Sequence, residues 1–195
     1  KMSTIDWLRT PMAAAMIDER RVDAEARHGK RGGAYCSPVA QDAEPYVLMN
    51  WTDQMNDVLT MAHEFGQGMH FQLSNERQTA LSAGAGIAMC EIASTFAEHI
   101  TYDYLLANEA DPATRHLIAC ERVEGAFATI FRQAVMTRYE QAAYAMRTEG
   151  TTLTADRLSQ AWHQANLAYY GDTVEMPEQY RMGWSYIPHF IHTRF

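Results

Sequence analysis

The sequence predicts a mainly α domain with a small β element, and three observations predict it. Apolar residues recur at three- and four-residue intervals over most of the chain. Two short segments, 29–36 and 45–51, break that rhythm with glycine punctuation or with a run of aromatic and β-branched residues. No internal repeat, low-complexity tract or linker interrupts the 195 residues, so residues 1–195 read as a single domain long enough to bury a core.

Each element has a local reason. In 4–17 the apolar residues Ile5, Leu8, Met12, Met16 and Ile17 fall on one helical face. The segments 29–36 and 45–51 read as two short strands, and because a lone ribbon is marginal they belong to a small sheet packed on helices. From 53 the helical rhythm resumes with Thr52 or Asp53 as N-cap, and Val58, Leu59, Ala62, Phe65, Met69 and Leu73 form its buried stripe. The loop 82–86 separates this helix from the next, 87–106. Asp111 and Pro112 supply an N-cap and a first-turn proline for a long helix to 147. Thr154 caps a further helix that runs to Tyr170 and stops at Gly171. The tail from Met176, with Pro177, Gly183 and Pro188, reads as loop plus a short helix.

Composition excludes some functions. A net charge of −8 without a basic cluster argues against nucleic-acid binding, which needs cationic surface to displace counterions. The densest charge group, 19–23, mixes both signs and reads as solvated surface. No apolar run approaches the roughly 18 to 20 residues that span a bilayer. Cys36, Cys90 and Cys120 form no Cys-x-x-Cys pair; three unpaired thiols, each read as a small buried hydrophobe, suit a reducing cytoplasmic setting. The chain opens on Lys and stops at Phe195, as a processed or excised piece would.

The chemistry gathers on the 53–73 helix, in His63-Glu64-Phe65-Gly66-Gln67. Residues four apart share a helical face, so two imidazoles at the first and fifth positions hold one Zn²⁺ while the intervening Glu approaches a metal-bound water. Here the fifth position is Gln67. A third ligand in such sites is often a carboxylate from the next helix, and Glu91 lies in the middle of an otherwise apolar stretch there. Two antiparallel helices would bring Glu91 beside His63, with Glu98 on the same face as an imidazole-orienting partner. His70 is a poor substitute ligand, roughly 10 Å along the helix from His63.

With these residues stand others: Gly29-Lys30-Arg31-Gly32-Gly33-Ala34-Tyr35-Cys36, Pro45-Tyr46-Val47-Leu48-Met49-Asn50, and Asp57-Val58-Leu59-Thr60-Met61-Ala62 just before His63. Met69-His70, Glu91-Ile92-Ala93-Ser94-Thr95-Phe96, Tyr169-Tyr170-Gly171-Asp172 and Ile187-Pro188-His189-Phe190 follow in order. Together they resemble the M3 family of zinc oligopeptidases, in its oligoendopeptidase F branch. The resemblance implies a zincin-like helical metallopeptidase catalytic domain, one zinc ion, and short peptides as substrates. It implies His63, the Gln67 position and Glu91 as metal ligands, and Glu64 as the general base that passes a proton from water to the leaving amine. His189 matches a position that holds substrate or stabilises the oxyanion. Gly33, Ala34 and Tyr35 match an edge strand whose backbone pairs with an extended peptide.

Two departures matter. An amide oxygen is a poor Zn²⁺ ligand beside imidazole, so Gln67 predicts weak metal binding and little hydrolysis. Gln67 reads as natural drift or an engineered knockout on an enzyme scaffold. The chain is also short for the resemblance, lacking matches to the family's N-terminal helical region and ending before the segment that carries a catalytic tyrosine. Three readings stay open: an impaired metallo-oligopeptidase, a peptide-binding protein that keeps the groove without zinc, and a helical interaction domain. A truncated domain with an uncovered face also predicts self-association.

Overall fold

The computed structural model describes residues 10–192. The part of the first expected helix before Thr10 lies outside them. What is described begins at α1 (Pro11–Asp18), where the Thr10 hydroxyl accepts the Ala13 N–H and Pro11 fills the first turn. The chain divides into two compact units, Lys1–Ala119 and Cys120–Phe195.

The first unit holds a three-stranded sheet of order β1-β3-β2, built from β1 (Val22–Glu25), β2 (Tyr35–Ser37) and β3 (Tyr46–Trp51). β2 runs antiparallel to β3, with Cys36 opposite Val47, whereas β1 is parallel, with Val22 opposite Val47. The mixed-charge stretch read as solvated surface is thus partly a strand. Arg21 is buried and donates to the Pro45 carbonyl, and Asp23 is clasped by Arg27 and Lys30. The strand is set by its parallel pairing with β3, more than twenty residues on, which is why alternation of apolar and polar residues failed to reveal it. In turn, most of the 29–36 segment is loop. Gly33 has φ +79°, a left-handed backbone that glycine adopts without strain. Asn50 ties this loop to β3 by donating to the carbonyls of Arg31 and Gly33.

The sheet packs on α2 (Met55–Arg77), which packs in turn on α3 (Ile87–Asn108). α2 starts at Gln54 rather than Thr52 or Asp53, because Asp57 reaches back to accept the N–H groups of Thr52 and Gln54. Its stripe is buried through Leu59, Ala62 and Phe65, while Leu73 at the far end is exposed. Ala13, Met16, Val47, Ala62, Phe65 and Ala97 close one core, and Leu59, Tyr102 and Ile118 a second.

The long helix expected after Pro112 is α4 (Pro112–Phe127) and α5 (Gln133–Thr148), joined by a π-helical turn at Ala128–Arg132. In the second unit, α5 packs on α6 (Ala155–Tyr170), which Thr154 caps and Gly171 ends at φ +59°. A 3₁₀ segment (Glu178–Tyr186) and α7 (His189–His192) follow. Its core is Tyr139, Trp162 and Ile187, with the Trp162 indole N–H donating to the Tyr180 carbonyl at 3.1 Å. Of the three cysteines, Cys90 is buried and Cys36 half-buried, but Cys120 is exposed, contrary to its reading as core. No described helix is long and apolar enough to cross a membrane.

Candidate active centre on the α2–α3 pair

α2 and α3 run antiparallel, so residues ascending one helix meet residues descending the other. The close approach is set at Gly66. A methyl group there would lie 2.7 Å from the Ala93 carbonyl oxygen and 2.8 Å from the Ala97 Cβ. With nothing larger than hydrogen at that point, His63, one turn before, comes level with Glu98, and Gln67, one residue after, comes level with Glu91.

The polar groups on this seam form one cluster. His63 Nδ1 lies 2.5 Å from Glu98 Oε1, so that ring nitrogen carries the shared proton. His63 Nε2 lies 3.3 Å from Glu91 Oε2 and 3.2 Å from the Gln67 amide nitrogen. The same amide nitrogen is 3.4 Å from Glu91 Oε1. Ser94, fully buried, donates to Glu91 Oε2 at 2.7 Å, and Thr95 donates to the Glu91 carbonyl. Desolvation pulls the His63 pKa down, but the hydrogen bond to Glu98 and the charges of Glu91, Glu64 and Glu98 outweigh it and hold it above the ordinary value.

Glu64, next to His63 on α2, is only 5% exposed. The Cys36 backbone N–H of β2 donates to its carboxylate, and its Oε2 has no hydrogen-bond partner among the described residues. Desolvation is the main cause that pushes its pKa up to about 7, with the Glu91 and Glu98 charges adding to it and His63 opposing. A carboxyl group that exchanges its proton near neutrality, with one oxygen left without a partner, has the properties of a general base. Burial likewise pushes the Cys36 thiol up to about 12, which makes it unreactive.

The residues named from sequence thus separate into groups. His63, Gln67, Glu91 and Glu98 meet in the first unit, with Glu64 and β2 behind them. Gly33 and Tyr35 are exposed and Ala34 is half-covered, at and just before β2, the terminal strand of the sheet. His189 lies exposed at the start of α7 in the second unit. His70 stacks on Phe71 and belongs to neither group. Ser94, Gly66 and the Cys36 N–H were not singled out from sequence. A serine three residues after an acid on a helix is a weak local signal for the first. The other two depend on which elements pack together.

The donor set does not fit zinc. Catalytic zinc sites take three protein ligands, and here one imidazole nitrogen and one carboxylate face the point where a cation would sit. The Gln67 group aimed there is an N–H₂, a hydrogen-bond donor rather than an electron-pair donor. Among the described residues no group of three His, Cys, Asp or Glu side chains is placed to hold a metal ion.

Comparison with known proteins places this geometry in a lineage. The sequence matches Peptidase family M3 over residues 7–195. It is 34% identical over 179 residues to oligopeptidase PepF of Bacillus subtilis, covering 92% of this chain and 27% of that protein. It is 32% identical to the chromosomal oligoendopeptidase F of Lactococcus lactis subsp. cremoris, covering 91% of this chain and 29% of the relative. The chain therefore spans less than a third of the length of the curated relatives it matches. Its fold superposes on oligoendopeptidase-F from Enterococcus faecium with a TM-score of 0.53 at 30% identity, covering 71% of this chain and 24% of that one. PZ peptidase A, solved with an inhibitor, shares the fold at a TM-score of 0.76 and 19% identity, over 95% of this chain and 33% of the other. The mainly helical architecture with its three-stranded mixed sheet, the His63–Glu91–Glu98 seam and the family match lead to one conclusion: the chain belongs to peptidase family M3, on its oligoendopeptidase F-like side.

Proposed function

We propose that this chain is the active-centre portion of an oligopeptidase acting on short peptides, with hydrolysis impaired because Gln67 stands in a metal-ligand position. The observation that carries the reading is the convergence of His63, Glu91 and Glu98 on one seam, with a neutral-range carboxyl group at Glu64 beside it. In this reading β2 receives an extended peptide along its free edge, with Gly33, Ala34 and Tyr35 lining it. Glu64 accepts and returns a proton through its unpartnered Oε2. His189 contributes to holding the substrate or its oxyanion in the full active centre. A cytoplasmic setting is part of this reading, supported by the three unpaired thiols.

The test is hydrolysis of a quenched fluorescent oligopeptide in zinc-containing buffer by the native chain, by Gln67→His, and by Gln67→His combined with Glu64→Gln. The native chain should turn over slowly or not at all. Gln67→His should gain turnover that a chelator removes, and the added Glu64→Gln should abolish it. A Gln67→His chain that takes up zinc yet stays inactive, while still binding the peptide, would instead make this a peptide-binding module.

A further inference from the structure

The seam between α2 and α3 brings together groups that ordinarily need a cation between them. In the neutral imidazole the Nδ1–H donates to Glu98 Oε1, which leaves the Nε2 lone pair facing inward. Glu91 presents its Oε1 to the Gln67 amide, while its Oε2, which accepts the Ser94 hydroxyl, also lies 3.3 Å from His63 Nε2. Two electron-rich atoms aimed at one place repel unless something positive lies between them. A histidine at position 67 would add a third lone pair and make a cation indispensable. Gln67 does the opposite. Its amide nitrogen carries two hydrogens and sits 3.2 Å from His63 Nε2 and 3.4 Å from Glu91 Oε1.

We propose that the Gln67 carboxamide replaces the cation, donating one N–H to His63 Nε2 and the other to Glu91 Oε1, so that this chain assembles its polar seam without metal. The change at position 67 then inverts the chemistry of the site rather than merely deleting a ligand. An acceptor becomes a donor, and every inward-facing atom of His63 and Glu91 finds a partner. The close packing at Gly66 holds the helices near enough for the short amide arm to reach both acceptors. The inference rests on the family assignment and the seam geometry. It does not depend on whether the chain cleaves peptides.

Three measurements on the full chain test it. First, the melting temperature of the native protein should move by less than about 1 °C on adding either zinc or a chelator, since binding only the folded state would raise it. Second, ¹⁵N spectra at a pH where the imidazole is neutral should show His63 as the Nδ1–H tautomer. The Gln67 side-chain N–H₂ should exchange slowly. Third, Gln67→Met keeps the length of the arm but removes both donors, and should lower the melting temperature by about 4 to 8 °C.

A native chain that takes up one equivalent of zinc with a rise in melting temperature would overturn the proposal, because the amide would then be turned oxygen-inward. So would an Nε2–H tautomer of His63, or a Gln67→Met variant as stable as the parent. Failure of the peptidase reading looks different: it appears only in the hydrolysis assay with Gln67→His and leaves these three results untouched.

Discussion

Replacing Glu64 by glutamine should make the protein more stable while removing its candidate base. In the unfolded chain this carboxyl titrates at its ordinary value of 4.5, and in the fold at about 7. Because the folded value is the higher, the stabilisation is fully present below 4.5 and is lost as pH rises to about 7. Within that window the unfolded chain releases the proton and the folded chain keeps it. The gap corresponds to about 3 kcal/mol at most, at about 1.4 kcal/mol per pH unit, and about 1 to 3 kcal/mol after local relaxation. Glutamine keeps an oxygen for the Cys36 N–H and carries no charge into the buried site. Urea denaturation of parent and Glu64→Gln should therefore coincide at the acid end. Above neutrality they should separate in favour of the variant, with chelator present throughout so that no cation intervenes. Equal stability across the whole range, or a variant weaker than the parent at high pH, would refute the burial of this carboxyl and its role as a tuned base.

Other outcomes follow from single contacts. Gly66→Ala places a methyl against the Ala93 carbonyl oxygen and Ala97 Cβ and should destabilise the chain by about 1 to 3 kcal/mol, measured by denaturation. Gly84→Ala, with open space around it and no positive φ, serves as the near-neutral control. Asp57 is held below the usual carboxylate range by hydrogen bonds from the Gln54 and Thr52 N–H groups. The stability it supplies is present above the ordinary carboxylate value and is lost as pH falls through the depressed one; Asp57→Asn should lack that acid-side loss in pH-dependent melts. A thiol reagent should modify exposed Cys120 first and leave Cys36, with its raised pKa, largely unmodified, as mass spectrometry of the labelled peptides would read.

Much of this was legible in the sequence where local signals decide. The Leu59–Ala62–Phe65 spacing, the Asp111–Pro112 start, the Thr154 start and the Gly171 stop each correspond to an element or its end. So did the placement of Glu91 and Glu98, because a seven-residue interval keeps two acids on one helical face. What escaped was decided by pairings and side-chain contacts that residue type and spacing do not show. β1 pairs in parallel with β3, and its charged residues form partly exposed ion pairs, so its sequence looks like surface. The cap of α2 moved to Gln54 because Asp57 reaches back, a choice Thr52 and Asp53 did not reveal. The π-helical turn at Ala128–Arg132 has no marker comparable to a proline or glycine. Within the site, the residue types of His63, Glu64 and Glu91 were readable. The donor polarity of Gln67 toward two of them emerged only from the packed helices.

The central claim is that the lineage is kept while the metal-binding chemistry is altered at one position. Zinc titration by calorimetry, on the native chain and on Gln67→His prepared metal-free, tests this most directly. The native chain should show no binding at micromolar zinc, and Gln67→His should take up about one equivalent through His63, the new histidine and Glu91. Stoichiometric zinc on the native chain, or none on Gln67→His, would contradict it.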